Sequence, residues 1–276
     1  MSLGTTITRS CAHCPARPVG VCASMRSRDE LTLLEKARSP LRDLPPDRAI
    51  YFQGDALDVA FTLVSGWGYL HQTLANGRRQ IIRFLLPGDI FGAEQPVRSA
   101  SHGAETLTQA TVCPIPAAAL ERLRRRPAYS DRRRGMQLRD EDLAMDHLTA
   151  LGQRNSRERV CHLMLELAVR SLHRPPADGE AVKLPLTQGH LAEALGLTAI
   201  HVNRTLRRLA AEHILDFKRG RLIVLDAEEM AELADTSEAT LALWAAPSAI
   251  RPDDWAFRAP EHRPQPTSAS LYRPTL

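Results

Sequence analysis

The chain has 276 residues, of which 43% are hydrophobic and 25% charged, and a formal net charge of +4. That length can hold about two domains with real cores, and the modest positive balance is compatible with a polyanionic partner but does not prove one. No apolar run approaches membrane-spanning length, the first ten residues lack a signal-peptide core, and no P-loop, nucleophile elbow or HExxH zinc motif is present, so the expectation is a cytoplasmic protein that is not an enzyme and has no membrane partner.

Residues 1–26 form an N-terminal arm carrying Cys11, Cys14 and Cys22 in CAHCPARPVGVC, and a further cysteine, Cys113, stands in ATVCPIP. In a reducing compartment such thiols serve as ligands or buried groups rather than as a disulfide framework. Two cysteines three apart can chelate one centre, and four can close a cubane iron-sulfur cluster or a zinc tetrahedron. Arg17, Arg26 and His13 stand close enough in sequence to offset the charge of such a centre and to depress the thiol pKa values. Cys161, in RVCHLMLELAV, lies on an apolar helix face and reads as a buried structural thiol.

Residues 27–126 change texture. Short apolar or alternating stretches (Ile50 to Gln53, Ala60 to Val64, Trp67 to Gln72, Gln80 to Leu85, Thr106 to Ile115) are punctuated by Gly54-Asp55, Ser65-Gly66, Asn76-Gly77 and Pro87-Gly88-Asp89. Short strands with turns at near-regular spacing predict a small antiparallel barrel or roll. A short helix follows over Ala117 to Arg125. After Pro127, an amphipathic helix over 127–153 carries Met136, Leu138, Leu143, Met145, Leu148 and Leu151, a stripe that calls for a partner. The arginines at 122, 124, 125, 126, 132, 133 and 134 read by default as a solvated face, and Asp140, Glu141, Asp142 and Asp146 as either a solvated face or a repulsive dimer seam.

Residues 154–235 contain the most informative stretch, LPLTQGHLAEALGLTAIHVNRTLRRL. Thr187 caps a first helix that Gly196 breaks, and Thr198 caps a second whose apolar set is Val202, Leu206 and Leu209. His201, Asn203, Arg204, Arg207 and Arg208 are left outside. Donor-rich side chains at the start of such a helix can reach base edges in a major groove, with arginine suited to guanine O6 and N7 and the later cations to phosphate. Two apolar segments, Ile214 to Phe217 and Leu222 to Leu225, flank the turn Lys218-Arg219-Gly220-Arg221, so Lys218, Arg219 and Arg221 form a basic wing tip. The whole reads as a winged helix-turn-helix for double-stranded DNA. Residues 236–276 are expected to be a partly disordered tail, with Trp244 and Trp255 docking on the body.

The chain is thus expected to be α+β: arm, antiparallel β-roll, long helix, winged helix-turn-helix. The segments GDALDVAFTLVSGWGYL, NGRRQIIRFLLPGDIFG, PAAALERL, NSRERVCHLMLEL, LPLTQGHLAEALGLT and GRLIVLD together resemble the Crp/Fnr superfamily of bacterial transcription regulators over roughly Cys11 to Ala234. The resemblance implies a cupin-like, cyclic-nucleotide-binding-domain-like roll, a parallel homodimer through the long helix, and RNA polymerase as a further partner. The three arm cysteines and the V-C-P-I-P context of Cys113 resemble the oxygen-sensing Fnr branch. There the corresponding thiols hold an oxygen-labile [4Fe-4S] cluster, which assigns Cys11, Cys14, Cys22 and Cys113 as ligands, with zinc as the alternative. The nucleotide-binding branch fits poorly, because Arg98-Ser99 follows Gly92-Ala93-Glu94 too soon. His71, His102 and His147 are weak candidates for haem. The recognition helix departs from the branch: Ile200 stands where a glutamate is usual and Asn203 where a serine is, and Arg204 alone is retained.

Overall fold

A computed structural model describes residues 10–93 and 95–245. The expectations for Glu94, for Trp255 and for the chain beyond Ala245 lie outside the described residues.

Eight strands among the described residues build the roll: β1 (Arg42–Leu44), β2 (Ala49–Tyr51), β3 (Val59–Ser65), β4 (Gly68–Thr73), β5 (Arg79–Leu85), β6 (Ile90–Gly92), β7 (Gly103–Thr106) and β8 (Ala110–Pro116). They pair antiparallel in two sheets, ordered β1-β8-β3-β6 and β2-β7-β4-β5. The stretch expected as one strand from Thr106 to Ile115 is two strands, because Leu107 to Gln109 turn the chain between the sheets. Tyr51, Phe61 and Phe91 occupy the space between the sheets, with ring centroids 5.5 to 6.5 Å apart. β3 is mostly apolar and buried on both faces: Phe61 and Leu63 face inward, and Ala60 packs in a second cluster outside the roll.

That outer cluster is built by α1 (Arg28–Ala37), α2 (Ala117–Arg124), the start of α3 (Pro127–Gln153) and the arm. Ser27 starts α1 with a full capping box, its hydroxyl accepting from the Glu30 amide while the Glu30 carboxylate accepts from the Ser27 amide. α3 spans about 40 Å. Its inner side is buried at Tyr129, Met136, Leu143 and Ala150, while Met145 and Leu148 stand 64% and 65% exposed on the other side.

The C-terminal unit forms around α4 (Ser156–Leu172), whose residues from Val160 to Arg170 are all buried. Around it lie β9 (Ala181–Lys183), α5 (Gln188–Leu195), α6 (Ala199–Ala211), β10 (Leu215–Lys218), β11 (Arg221–Val224), α7 (Ala227–Leu233) and α8 (Glu238–Ala245). α8 is the ordered start of the segment 236–276, which the sequence marks as only partly disordered. Trp244, 1% exposed, packs edge-on against His162 of α4, 5.1 Å between centroids, so the expected docking of this tryptophan is observed. Cys161 is fully buried, as expected.

A buried charge network joins the roll, α3 and α4. Asp89 takes Arg139 of α3 at 2.9 Å and Arg170 of α4 at 2.7 Å, and accepts from the Leu86 amide at 2.9 Å. Arg83 pairs with Asp140 at 2.7 Å, so Asp140 belongs to this internal network rather than to the solvated face or the repulsive seam expected as alternatives. Burial alone would raise the Asp89 carboxyl, but Arg170, Arg83, Arg139 and the Leu86 amide outweigh it and hold it at about 2. A carboxyl depressed on folding contributes stability that is complete above its unfolded value near 4 and lost as pH falls through the folded value. The midpoint of thermal unfolding is therefore expected to drop between about pH 4 and pH 2, and Asp89→Asn to flatten that dependence; an unchanged slope in the variant would refute it.

Candidate nucleic-acid interface and thiol cluster

The arm folds into two short 3-10 turns, Cys11–His13 and Val21–Ser24. They place Cys11 on the first, Cys14 directly after it and Cys22 on the second. Glu35 of α1 fixes the start of the arm by accepting from the Ser10 hydroxyl at 2.8 Å and the Cys11 amide at 2.9 Å. Arg17 donates to the Met25 carbonyl at 2.9 Å and Arg132 donates Nε to the Gly20 carbonyl at 2.7 Å. Cys113 arrives on β8, opposite Thr62 of β3, and the Ser39 amide at the end of α1 donates to the next carbonyl, that of Pro114.

These contacts set Cys11, Cys22 and Cys113 against one apolar cluster, with Cys14 directly after the Cys11 turn, and all four thiols are half-buried. Burial pushes the Cys22 thiol far up, and the nearness of Cys113, Cys11 and Cys14 adds to the rise against the opposing charge of Arg17. Burial likewise raises Cys113 to about 12, with Arg38 opposing and Cys11 and Cys14 adding to the rise. Cys11 is raised by burial against a hydrogen bond and charge from Arg38. The expected depression of these pKa values is thus corrected: desolvation and mutual repulsion win. The cation beside Cys11 and Cys113 is Arg38, which lies directly after α1 and far from both thiols in sequence, so the sequence did not point to it. Among the described residues no group of three or more His, Cys, Asp or Glu side chains is arranged to hold a metal ion.

In the C-terminal unit the local chemistry acts as the sequence predicts. The Thr187 hydroxyl accepts from the His190 amide and the Thr198 hydroxyl from the His201 amide, both at 3.2 Å, while Gly196 takes φ 62 between the helices. That left-handed turn suits glycine, since a Cβ there is unfavourable. Val202, Thr205, Leu206 and Leu209 bury one side of α6. Ile200 is 84% exposed at its start, and Arg204, Arg207 and Arg208 are exposed along it. Two of the predicted contact residues are already engaged: Asn203 donates its amide to Gln188 Oε1 at 3.0 Å, and Arg208 pairs with Glu212 at 2.9 Å. His201 is half-buried.

β10 and β11 pair as a hairpin one residue displaced from the expected segments, and β9 adds a third strand, missed because it has three residues. Arg219 at φ 51 and Gly220 at φ 73 make the two-residue loop, the paired positive φ values that match hairpin twist. Lys218, Arg219 and Arg221 are exposed there, with Lys218 reaching Asp216 at 2.8 Å. Thr187 and Gln188 at the start of α5 line one cleft with Lys218 and Arg219 of the wing. Donors from α5 and the wing therefore share one cleft, and Asn203 ties α6 to α5 beside it, with Arg204 and Arg207 exposed along α6.

The remaining candidates have other places. Arg98 and Ser99 are exposed loop residues. His71 lies 3.9 Å from Glu105 and His102 packs edge-on to Tyr51; burial lowers the pKa of both, as it does for His147 of α3. Arg132 is turned inward onto the arm, unlike the solvated face expected for it, whereas Arg122, Arg125, Arg126 and Arg134 are exposed.

Residues 158–233 match the model of the Crp-like helix-turn-helix domain and residues 41–126 that of the cyclic nucleotide-binding domain. The chain is 30% identical to the transcriptional activatory protein AadR of Rhodopseudomonas palustris, over 80% of this chain and 92% of that one. It is also 30% identical to the transcriptional activator protein FnrL of Cereibacter sphaeroides, over 86% and 96%. The solved structure of FixK2 from Bradyrhizobium japonicum superposes with a TM-score of 0.64 at 26% identity, covering 72% of this chain and 98% of FixK2. Among the described residues no helix is long and apolar enough to cross a membrane.

Proposed function

We propose, given that this chain belongs to the Crp/Fnr family of DNA-binding transcription regulators, that it binds DNA as a homodimer under the control of a [4Fe-4S] cluster held by Cys11, Cys14, Cys22 and Cys113. The observation that carries the reading is that Cys11 and Cys22 of the arm and Cys113 of β8 pack against one apolar cluster, with Cys14 directly after the turn that bears Cys11. A single zinc ion needs four sulfurs about 2.3 Å from one point, whereas the four irons of a cubane accept ligands spread around a larger body. When bound, such a group supplies a centre sensitive to oxygen.

The chain's own residues do the rest. Cys113 ties the arm to the strand that leads into α2 and α3, and Met145 and Leu148 offer the apolar stripe on which a second copy packs in a parallel pair. Two α6 helices then meet successive major grooves of a near-palindrome, with Arg204 toward the bases and the wing cations toward phosphate. Once the arm is released the pairing weakens, and DNA affinity falls because one subunit offers a single half-site. RNA polymerase is the expected protein partner of the bound dimer, and the cytoplasm its place.

Anaerobic purification with a visible spectrum and assays of iron and acid-labile sulfide tests this. About four irons and four sulfides per chain, with absorbance near ~400 nm that bleaches in air, are expected. A colourless anaerobic preparation carrying zinc or no metal sinks the cluster and leaves DNA binding standing.

A further inference from the structure

Between Cys14 and Cys22 the arm makes a loop, Pro18-Val19-Gly20, that touches the body at Gly88 and at Arg132 of α3, which donates to its carbonyls. Val19 covers Gly88 so closely that a Cβ on Gly88 would lie 2.7 Å from Val19 Cγ2 and 3.1 Å from the Gly20 nitrogen. Gly88 sits at φ 99, and its amide donates to the Leu63 carbonyl of β3 at 2.8 Å. The next residue is Asp89. One carboxylate oxygen accepts from Arg139 of α3 at 2.9 Å, the other from Arg170 of α4 at 2.7 Å. Arg170 is further held by the Phe84 carbonyl at 3.2 Å and Glu166 at 2.8 Å, and is 4% exposed. Arm, roll, long helix and DNA-binding unit therefore meet within a few consecutive residues.

We infer that Asp89 is a positioning residue: seated by Val19 and Gly20 of the arm against Gly88, it fixes α4 relative to α3 and so transmits the state of the arm to the DNA-binding unit. The geometry requires Asp89 to satisfy two arginines from two helices with its two oxygens. A small displacement of the 88–89 backbone costs one of those contacts, and the buried arginine left behind keeps only its second carboxylate, Glu166 for Arg170 or Asp140 for Arg139. The packing of Val19 on a glycine that has no side chain to buffer it makes that backbone responsive to the arm. This path does not pass through the exposed stripe of α3, so it acts within one subunit. It rests on the reading of the arm as a sensor, but the coupling itself is a property of the polypeptide and is measurable with or without metal.

Hydrogen exchange of the full chain, metal-free and anaerobically metal-loaded, tests it through a double-mutant cycle. Val19→Ala is expected to speed exchange in residues 160–172 by roughly three-fold or more although it lies on the arm, Asp89→Asn to speed it further, and the double variant to match Asp89→Asn alone. A merely structural role for Asp89 predicts additive effects. Should Asp89→Asn fail to fold, Arg170→Gln takes its place in the cycle, since it leaves the Asp89–Arg139 pair intact. A Val19→Ala effect on α4 that disappears without Asp89, in either metal state, upholds the inference even where iron assays are negative. A Val19→Ala effect confined to residues 11–25 in both states, or additivity in the cycle, overturns it whatever the metal content.

Discussion

Cys113→Ser is expected to remove most of the iron and acid-labile sulfide from anaerobically prepared protein and to make DNA binding indifferent to air. Cys113 is the one proposed ligand outside the arm, and it stands in β8 between the Val112 core position and the Pro114 carbonyl that anchors α1. A serine hydroxyl is a hard, weakly acidic donor and a poor substitute for thiolate on a soft iron centre. The change is nearly isosteric in a half-buried position, so the roll should keep its stability. Cys161→Ser is the control: that thiol is fully buried in α4 and raised to about 12 by burial, away from the other four, and its loss should leave iron, sulfide and air response in place. Full metal content and a normal air response in Cys113→Ser would refute the assignment.

Arg204→Ala is expected to cost about 1–3 kcal/mol of binding to a selected operator, about 5- to 150-fold, while leaving affinity for random duplex nearly unchanged. Arg204 is exposed one turn into α6 on the side opposite Val202 and Leu206, where a side chain can enter a groove. Arg219→Ala in the wing loop should instead weaken both duplexes alike and reduce the salt dependence, as loss of a phosphate contact does. Equal losses on operator and random DNA for Arg204→Ala would refute base readout. Asn203 and Arg208, engaged with Gln188 and Glu212, must exchange those partners before they touch DNA, so smaller effects are expected from them.

Much of this architecture was legible because its signals are local. Thr187, Gly196 and Thr198 announce two helices and the turn between them, and Pro127 opens α3 where the amphipathic pattern begins. Elements that owe their form to tertiary contact were harder to see. β1, β6 and β9 have three residues each, too few for alternation to register, and they exist because longer strands pair with them. α1 was missed although Ser27 and Glu30 carry a capping-box spacing, a signal present in the sequence. Asp89 was visible only as part of a turn; its two arginines lie 50 and 81 positions away, a separation no periodicity encodes. The thiol environment was misjudged for the same reason: cations adjacent in sequence were counted, while burial, which sets the direction of the shift, depends on how α1 and β8 close over the arm.

The helix that places Trp244 against His162 also sets where the chain can be cut. An excised DNA-binding fragment ending at residue 235 would include the whole helix-turn-helix and wing yet leave His162, 3% exposed in the intact chain, facing water with its apolar neighbours on α4. A fragment that keeps this contact therefore has to include α8 through Trp244. Within it Trp244 is an internal optical reporter of whether that unit is closed.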